Sequence, residues 1–276
     1  MIFRRRSKSE PAPSPPAPLP VPPFAPDPVA VADTVVPVDD PRQLYADAGL
    51  ALPPPTDRGE VRPGMRVLSL VVPETESTLE VWERLRDLHP HTGYWPIVVG
   101  EGLWESTIFE FAGPGSAQPY AAGDGRAWFE AKYAERFGEE GPIRGQAEPV
   151  PGTDTWDDLL DVTLGEATEI ALVPAAYGWE APSVLGWSGA VNYDIDESEH
   201  ATVLRRWSGQ WGLEVVGLSL DILSARIARP ATTPEERLAR AMEIYLYCPD
   251  AVDQGVGSID ALAAGTSLPA IALWWD

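Results

Sequence analysis

The sequence predicts an α+β fold: a mixed β-sheet with helices packed on it, whose C-terminal part has the order of a split βαβ unit. Three observations carry this reading. β-branched runs such as Arg66-Val-Leu-Ser-Leu-Val-Val72 and Leu213-Glu-Val-Val-Gly-Leu218 alternate with amphipathic segments of helical period. The best of those segments begin at Ser77, Asp196 and Thr233, each followed three residues later by a glutamate, which is capping-box spacing. The chain closes on Trp274-Trp275-Asp276, too apolar for a free end and therefore read as the tip of a packed strand.

The proline distribution sets the domain plan. More than half of the 30 prolines precede Gly64, and runs such as Pro11 to Pro20 and Pro53-Pro-Pro55 leave few backbone donors for a helix or ladder. Residues 1–63 are thus read as a disordered Pro-rich tail. Within it, Pro41 to Gly49 has the pattern of two helical turns with Asp40 as cap and Gly49 as stop. The first residues, Met1 to Lys8, are basic, and no apolar stretch of signal-peptide length follows them. Nor does any segment approach the roughly 20 apolar residues of a membrane span. The basic start is read as a solvated tag, since stable membrane anchoring takes a second signal.

Residues 64–167 read as an upstream α/β segment with long loops. Arg66 to Val72 is its first strand; Val81, Trp82, Leu85 and Leu88 give the following helix an apolar face that His89-Pro90 should stop. The next strand, Tyr94 to Val99, contains Pro96, which implies an edge position or a strand that starts late. Helices are expected at Arg126 to Phe137 and near Trp156 to Val162. The glycines between them form no phosphate loop or dinucleotide fingerprint.

Residues 168–276 read as a C-terminal α+β domain. Glu169 to Val173 and Ser183 to Trp187 are expected strands; His200, Val203, Leu204, Trp207 and Trp211 form the stripe of a helix that Gly212 ends. Strands at 213–218 and 222–228 follow, the second alternating so that Ser224 and Arg226 should meet water. A helix capped at Thr233, a short helix from Ser258 to Ala264 and a strand from Ala270 to Trp275 complete an arrangement with helices on one face of the sheet.

A formal charge of −22 argues against nucleic-acid binding, which needs clustered Lys and Arg, and suits a basic protein partner or plain solubility. A single cysteine, Cys248, rules out an internal disulfide and agrees with a reducing cytoplasm. No motif calls for a cofactor. With three histidines, two of them in His89-Pro-His91, no zinc set of ordinary spacing can be built.

Five stretches carry a likeness: Trp187-Ser-Gly-Ala-Val-Asn192, His200 with Arg205-Arg-Trp207, Gly212 to Val216, Tyr245 to Gly255, and Trp274-Trp275-Asp276. In these the part from Thr168 to Asp276 resembles the bacterial domain of unknown function 4253 family. The resemblance implies a fold unit without a function. The chain departs from the family's pattern with Leu213 between Gly212 and Glu214, and with the acidic insert Asp194 to Glu199.

The polar residues this part can gather are Asn192, His200, Asp221, Cys248, Asp250, Asp253, Gln254 and Asp276. Each has a structural explanation: His200 packs within its apolar stripe, Asp250 caps the turn that holds Asp253, and Cys248 is a small buried residue. Six tryptophans lie between Trp179 and Trp275, most read as core, with Trp187 and Trp275 as candidate interface anchors. Two functions remain open. One is a non-enzymatic module, immunity- or antitoxin-like in character, that binds a basic partner through a Trp-lined acidic surface. The other is a hydrolase or small-ligand domain with a pocket around His200, Asp250 and Asp276.

Overall fold

The computed structural model describes residues 24–28, 35–107, 109, 120–137, 141–142, 144–146, 148–152 and 154–276. Seven strands among them form one mixed sheet: β1 (Thr56–Arg62), β2 (Met65–Val71), β3 (Tyr94–Val99), β4 (Glu169–Pro174), β5 (Leu213–Leu218), β6 (Ile222–Ile227) and β7 (Ala270–Trp274). Their order is β1-β2-β4-β3-β5-β6-β7, antiparallel except where β3 runs beside β5. The helices are α1 (Arg42–Asp47), α2 (Thr78–Thr92), α3 (Gly125–Phe137), α4 (Trp156–Leu164), α5 (Ala181–Leu185), α6 (Glu197–Trp211), α7 (Pro234–Tyr247) and α8 (Ile259–Gly265), with a π-helical turn at Ala251–Val256. The α+β class and the mixed sheet are those the sequence predicts.

Local signals hold where they are self-contained. Ser77 caps α2 by accepting from Glu80 N, and reciprocal boxes join Asp196 with Glu199 and Thr233 with Glu236. Gly212 ends α6 in the left-handed region at φ 66°. Pro63 and Gly64, the latter at φ 78°, make the two-residue link between β1 and β2, the Pro-Gly order of a type II turn.

Several expectations are corrected. Pro90 does not stop α2, which runs on to Thr92 and closes at Gly93, φ 70°, whose N bonds His89 O at 2.9 Å. Ser183 to Trp187 is not a strand. Pro182 in the first turn and left-handed Gly186 after it shape a short helix instead, closed by Trp187 N to Pro182 O at 2.9 Å. β3 is interior and not an edge, for it pairs β4 along its length and β5 only at Val98 and Val99. Pro96 is tolerated because the β5 ladder starts two residues later, and the Trp95 indole reaches Val215 O at 2.8 Å across the gap.

Helices cover both faces of the sheet, so β6 has no wet face. Ser224 is fully buried against Thr163 of α4, 3.1 Å away, and Arg226 lies over the rings of Trp82 (α2) and Trp156 (α4). Their neighbours Leu223 and Ala225 point the other way and are fully buried.

The expected boundaries also shift. Residues 1–23 and 29–34 of the expected tail lie outside the described residues, but β1 and α1 come from that tail. Phe24, Tyr45, Leu50 and Val61 from it join the core. The 167/168 boundary falls inside the sheet. β4 lies between β2 and β3, so β4 and β5, both expected within the C-terminal domain, are separated by a strand from the upstream segment.

Candidate functional site

Asp250 is the hub of the C-terminal cluster. It follows the Cys248-Pro249 break after α7, is 1% exposed, and does not cap the π-helical turn as expected. Its carboxylate is taken by other donors: Tyr193 Oη at 2.5 Å, Gln254 Nε2 at 3.0 Å and the backbone N of Asp276 at 2.9 Å. Burial pushes this carboxyl up, but the Tyr193, Asp276 and Gln254 hydrogen bonds outweigh it and hold it below the usual carboxylate range. Asp276 therefore enters through its backbone. Asp253 turns to a different pair, accepting from Tyr245 Oη at 2.6 Å and pairing with Arg136 of α3. Asn192 is exposed on the single turn Val191–Tyr193.

His200 forms a second cluster. It sits in the first turn of α6, fully buried, with Nδ1 hydrogen-bonded to Tyr247 Oη at 2.6 Å and its ring 5.2 Å from that of Trp187. Burial pushes its pKa down to about 3, with Asp196 opposing, so the imidazole is neutral. Its Nε2 is buried and has no hydrogen-bond partner among the described residues. No hydrogen bond joins His200 to Asp250 or Asp276 among the described residues, so the polar set splits in two. Burial likewise pushes the Cys248 thiol up to about 12, and its Sγ donates to Trp274 O at 3.0 Å, which suits packing and not nucleophilic attack.

The candidate anchors Trp187 and Trp275 are both 2% exposed, which corrects the Trp-lined surface. Their rings meet edge to face at 5.6 Å, and backbone carbonyls satisfy their indoles: Ser219 O for Trp187 and Tyr247 O for Trp275. At the chain end Trp274, at 38%, is the exposed one, its indole on Asp221.

Beside the Asp250 hub lies a cleft of about 360 Å³, walled by α3, the Tyr193 turn and the end of α7. Lys132, Glu135 and Arg136 line its α3 side, the two cations one helical turn apart, while Ile195, Leu246 and Pro249 supply apolar wall. Among the described residues Lys132 Nζ is loosely held, 3.7 Å from Glu199, 3.9 Å from Glu135 and 5.6 Å from the centre of the Trp128 ring. Glu199 also accepts from Trp128 Nε1 at 2.8 Å, so the acidic insert that supplies the α6 cap fixes the α3 wall as well. Sequence reasoning missed Lys132, Arg136, Tyr193 and Tyr247. Tyr247 lies within the Tyr-Leu-Tyr run that opens the family-like stretch, but the α3 cations carry no motif.

Residues 169–276, about two-fifths of the chain, match the family described as Domain of unknown function (DUF4253). No curated protein and no solved structure matches the chain. Among the described residues no group of three or more His, Cys, Asp or Glu side chains could hold a metal ion, and no helix is long and apolar enough to cross a membrane.

Proposed function

We propose that the protein is a binding module whose site is the cleft between α3 and the Tyr193 turn, and that it takes a small molecule carrying an anionic group. The observation that carries this is the placement of Lys132 and Arg136 side by side at the mouth of a cavity, in a chain where 42 acidic residues face 20 basic ones. An anion meets repulsion over most of such a surface and finds here the loosely paired Lys132, beside an Arg136 that is shared with Asp253. The apolar wall suits the uncharged body of the ligand. Binding is favoured over turnover because the one imidazole nearby is neutral, buried and held behind Tyr247, and no carboxylate among the described residues is hydrogen-bonded to it.

Lys132→Gln tests this, since the loose ion pairs of Lys132 make the change mild for the fold. Small carboxylates and phosphates are screened by calorimetry against both proteins. The expected result is saturable binding by the wild type, weakened about tenfold or more in the variant, roughly the loss of one charged hydrogen bond. Equal binding by both, or none by the wild type, overturns the assignment. The charge of −22 favours a second reading, a basic protein docking on the acidic surface. That reading predicts association that falls steeply with salt and is indifferent to Lys132→Gln.

A further inference from the structure

Residues 24–28, Phe-Ala-Pro-Asp-Pro, lie in a groove between the start of α3 and α6, with Phe24 buried, Asp27 half-buried and the other three residues exposed. The Phe24 ring is 4% exposed and 5.6 Å from the ring of Phe129. Arg206 Nη1 donates both to Ala25 O at 2.7 Å and to Asp27 Oδ1 at 2.6 Å, while Asp27 Oδ2 accepts from Gly125 N at 2.7 Å. The other side of the Arg206 fork is held by Glu243, at 2.7 and 3.2 Å, and the guanidinium has no solvent exposure.

Two glycines make the room. A Cβ on Gly209 would come within 2.3 Å of Pro28, and one on Gly125 would lie 3.0 Å from Asp27 Oδ1 and 2.9 Å from the Arg206 stem. The groove is thus cut to the shape of this segment. Its polar core is a buried arginine, bidentate on Glu243 and completed by a carboxylate from outside the sheet domain. Prolines at 26 and 28 restrict the free segment to extended forms, which lowers the entropy lost on docking.

We propose that this groove is a recognition site for a short linear motif, an aromatic residue followed three positions later by an aspartate between prolines. The chain's own residues 24–28 are its resident ligand, held in cis, and the same motif on a second copy of the chain exchanges with it. Phe24 supplies the apolar anchor and Asp27 the charge that Arg206 reads. The α3 cleft is a separate site, and neither assignment depends on the other.

The test uses full-length protein. A fluorescent peptide spanning residues 22–30 is titrated into the wild type and into the Phe24→Ala/Asp27→Asn variant, whose fold is checked by circular dichroism and a cooperative melt. Expected is saturable binding to the variant, at least about tenfold tighter than to the wild type, where the tethered copy competes at millimolar effective concentration. A peptide carrying Asp27→Asn should bind the variant about tenfold more weakly than the native peptide. Equal binding by wild type and variant, or no effect of the peptide's aspartate, overturns the proposal. Should the variant fail to fold, a protease site placed between residues 29 and 34 of the otherwise native chain replaces it. After cleavage the N-terminal fragment should co-elute with the body and be chased off by excess peptide; immediate loss of the fragment, or its retention against excess peptide, contradicts exchange.

Discussion

At the scale of single residues, burial fixes the partners of the groups that hold the C-terminal part together. Asp250 gathers three donors from three parts of the chain, and removing its carboxylate leaves Tyr193, Gln254 and the last backbone N–H without their acceptor. Asp250→Ala should cost about 1.5–3 kcal/mol in urea denaturation, the range for hydrogen bonds to a charged group. A loss within the scatter of a surface substitution would refute its hub role. His200 makes a pH prediction. Its pKa is about 3 in the fold against 6.5 ordinarily, so the unfolded chain takes up the proton first. Its contribution to stability is complete above about pH 6.5 and drains away as pH falls towards 3. Buried His89, whose pKa is also lowered by burial, drains in the same direction. His200→Gln should therefore flatten, without abolishing, the fall in stability between about pH 6 and pH 4.5, by up to about 1.4 kcal/mol per pH unit. An unchanged slope would show that His200 is not the neutral group described here.

Elements divide into those that local chemistry specifies and those that only the whole sheet can specify. The caps of α2, α6 and α7 and the stop at Gly212 were legible, because a cap closes on its own backbone within three or four residues. Gly212→Ala should cost about 1–2 kcal/mol through the left-handed φ alone. The added methyl would also sit 2.9 Å from Ala228 Cβ. A thermal melt that does not move would contradict this. Strand identity at Ser183 to Trp187 misled because a short apolar run has no period of its own to separate strand from helix. The interior position of β3 was illegible for a different reason: which strand lies beside Pro96 is decided by residues more than seventy positions away. The same holds for the site. Asp250 and Gln254 were readable as neighbours, whereas Asp253, expected beside them, turns to Tyr245 and Arg136, and Lys132 and Arg136 reach the cleft only through the docking of α3.

For the molecule as a whole, the sheet order matters most. The segment that matches the family, 169–276, contributes β4 and β5 to β7, and β3 stands between those two parts. A fragment of residues 168–276 should therefore fail to fold alone, since β4 and β5 would face each other across the missing β3 with their ladders unpaired. A well-dispersed NMR spectrum from that fragment would show that the family-matching part stands without the upstream strands. The central claim, that the cleft beside Asp250 binds an anionic small molecule through its α3 cations, has a direct readout because the chain has only two lysines, Lys8 and Lys132. With isotope-labelled methyl groups placed on the lysine amines, the NMR signal of Lys132 is assigned by its loss in Lys132→Gln and then followed through titrations with small carboxylates and phosphates. The account predicts a saturable shift of the Lys132 signal, with Lys8 unmoved. A Lys132 signal that stays still across the whole panel, or that moves only in step with Lys8, would contradict it.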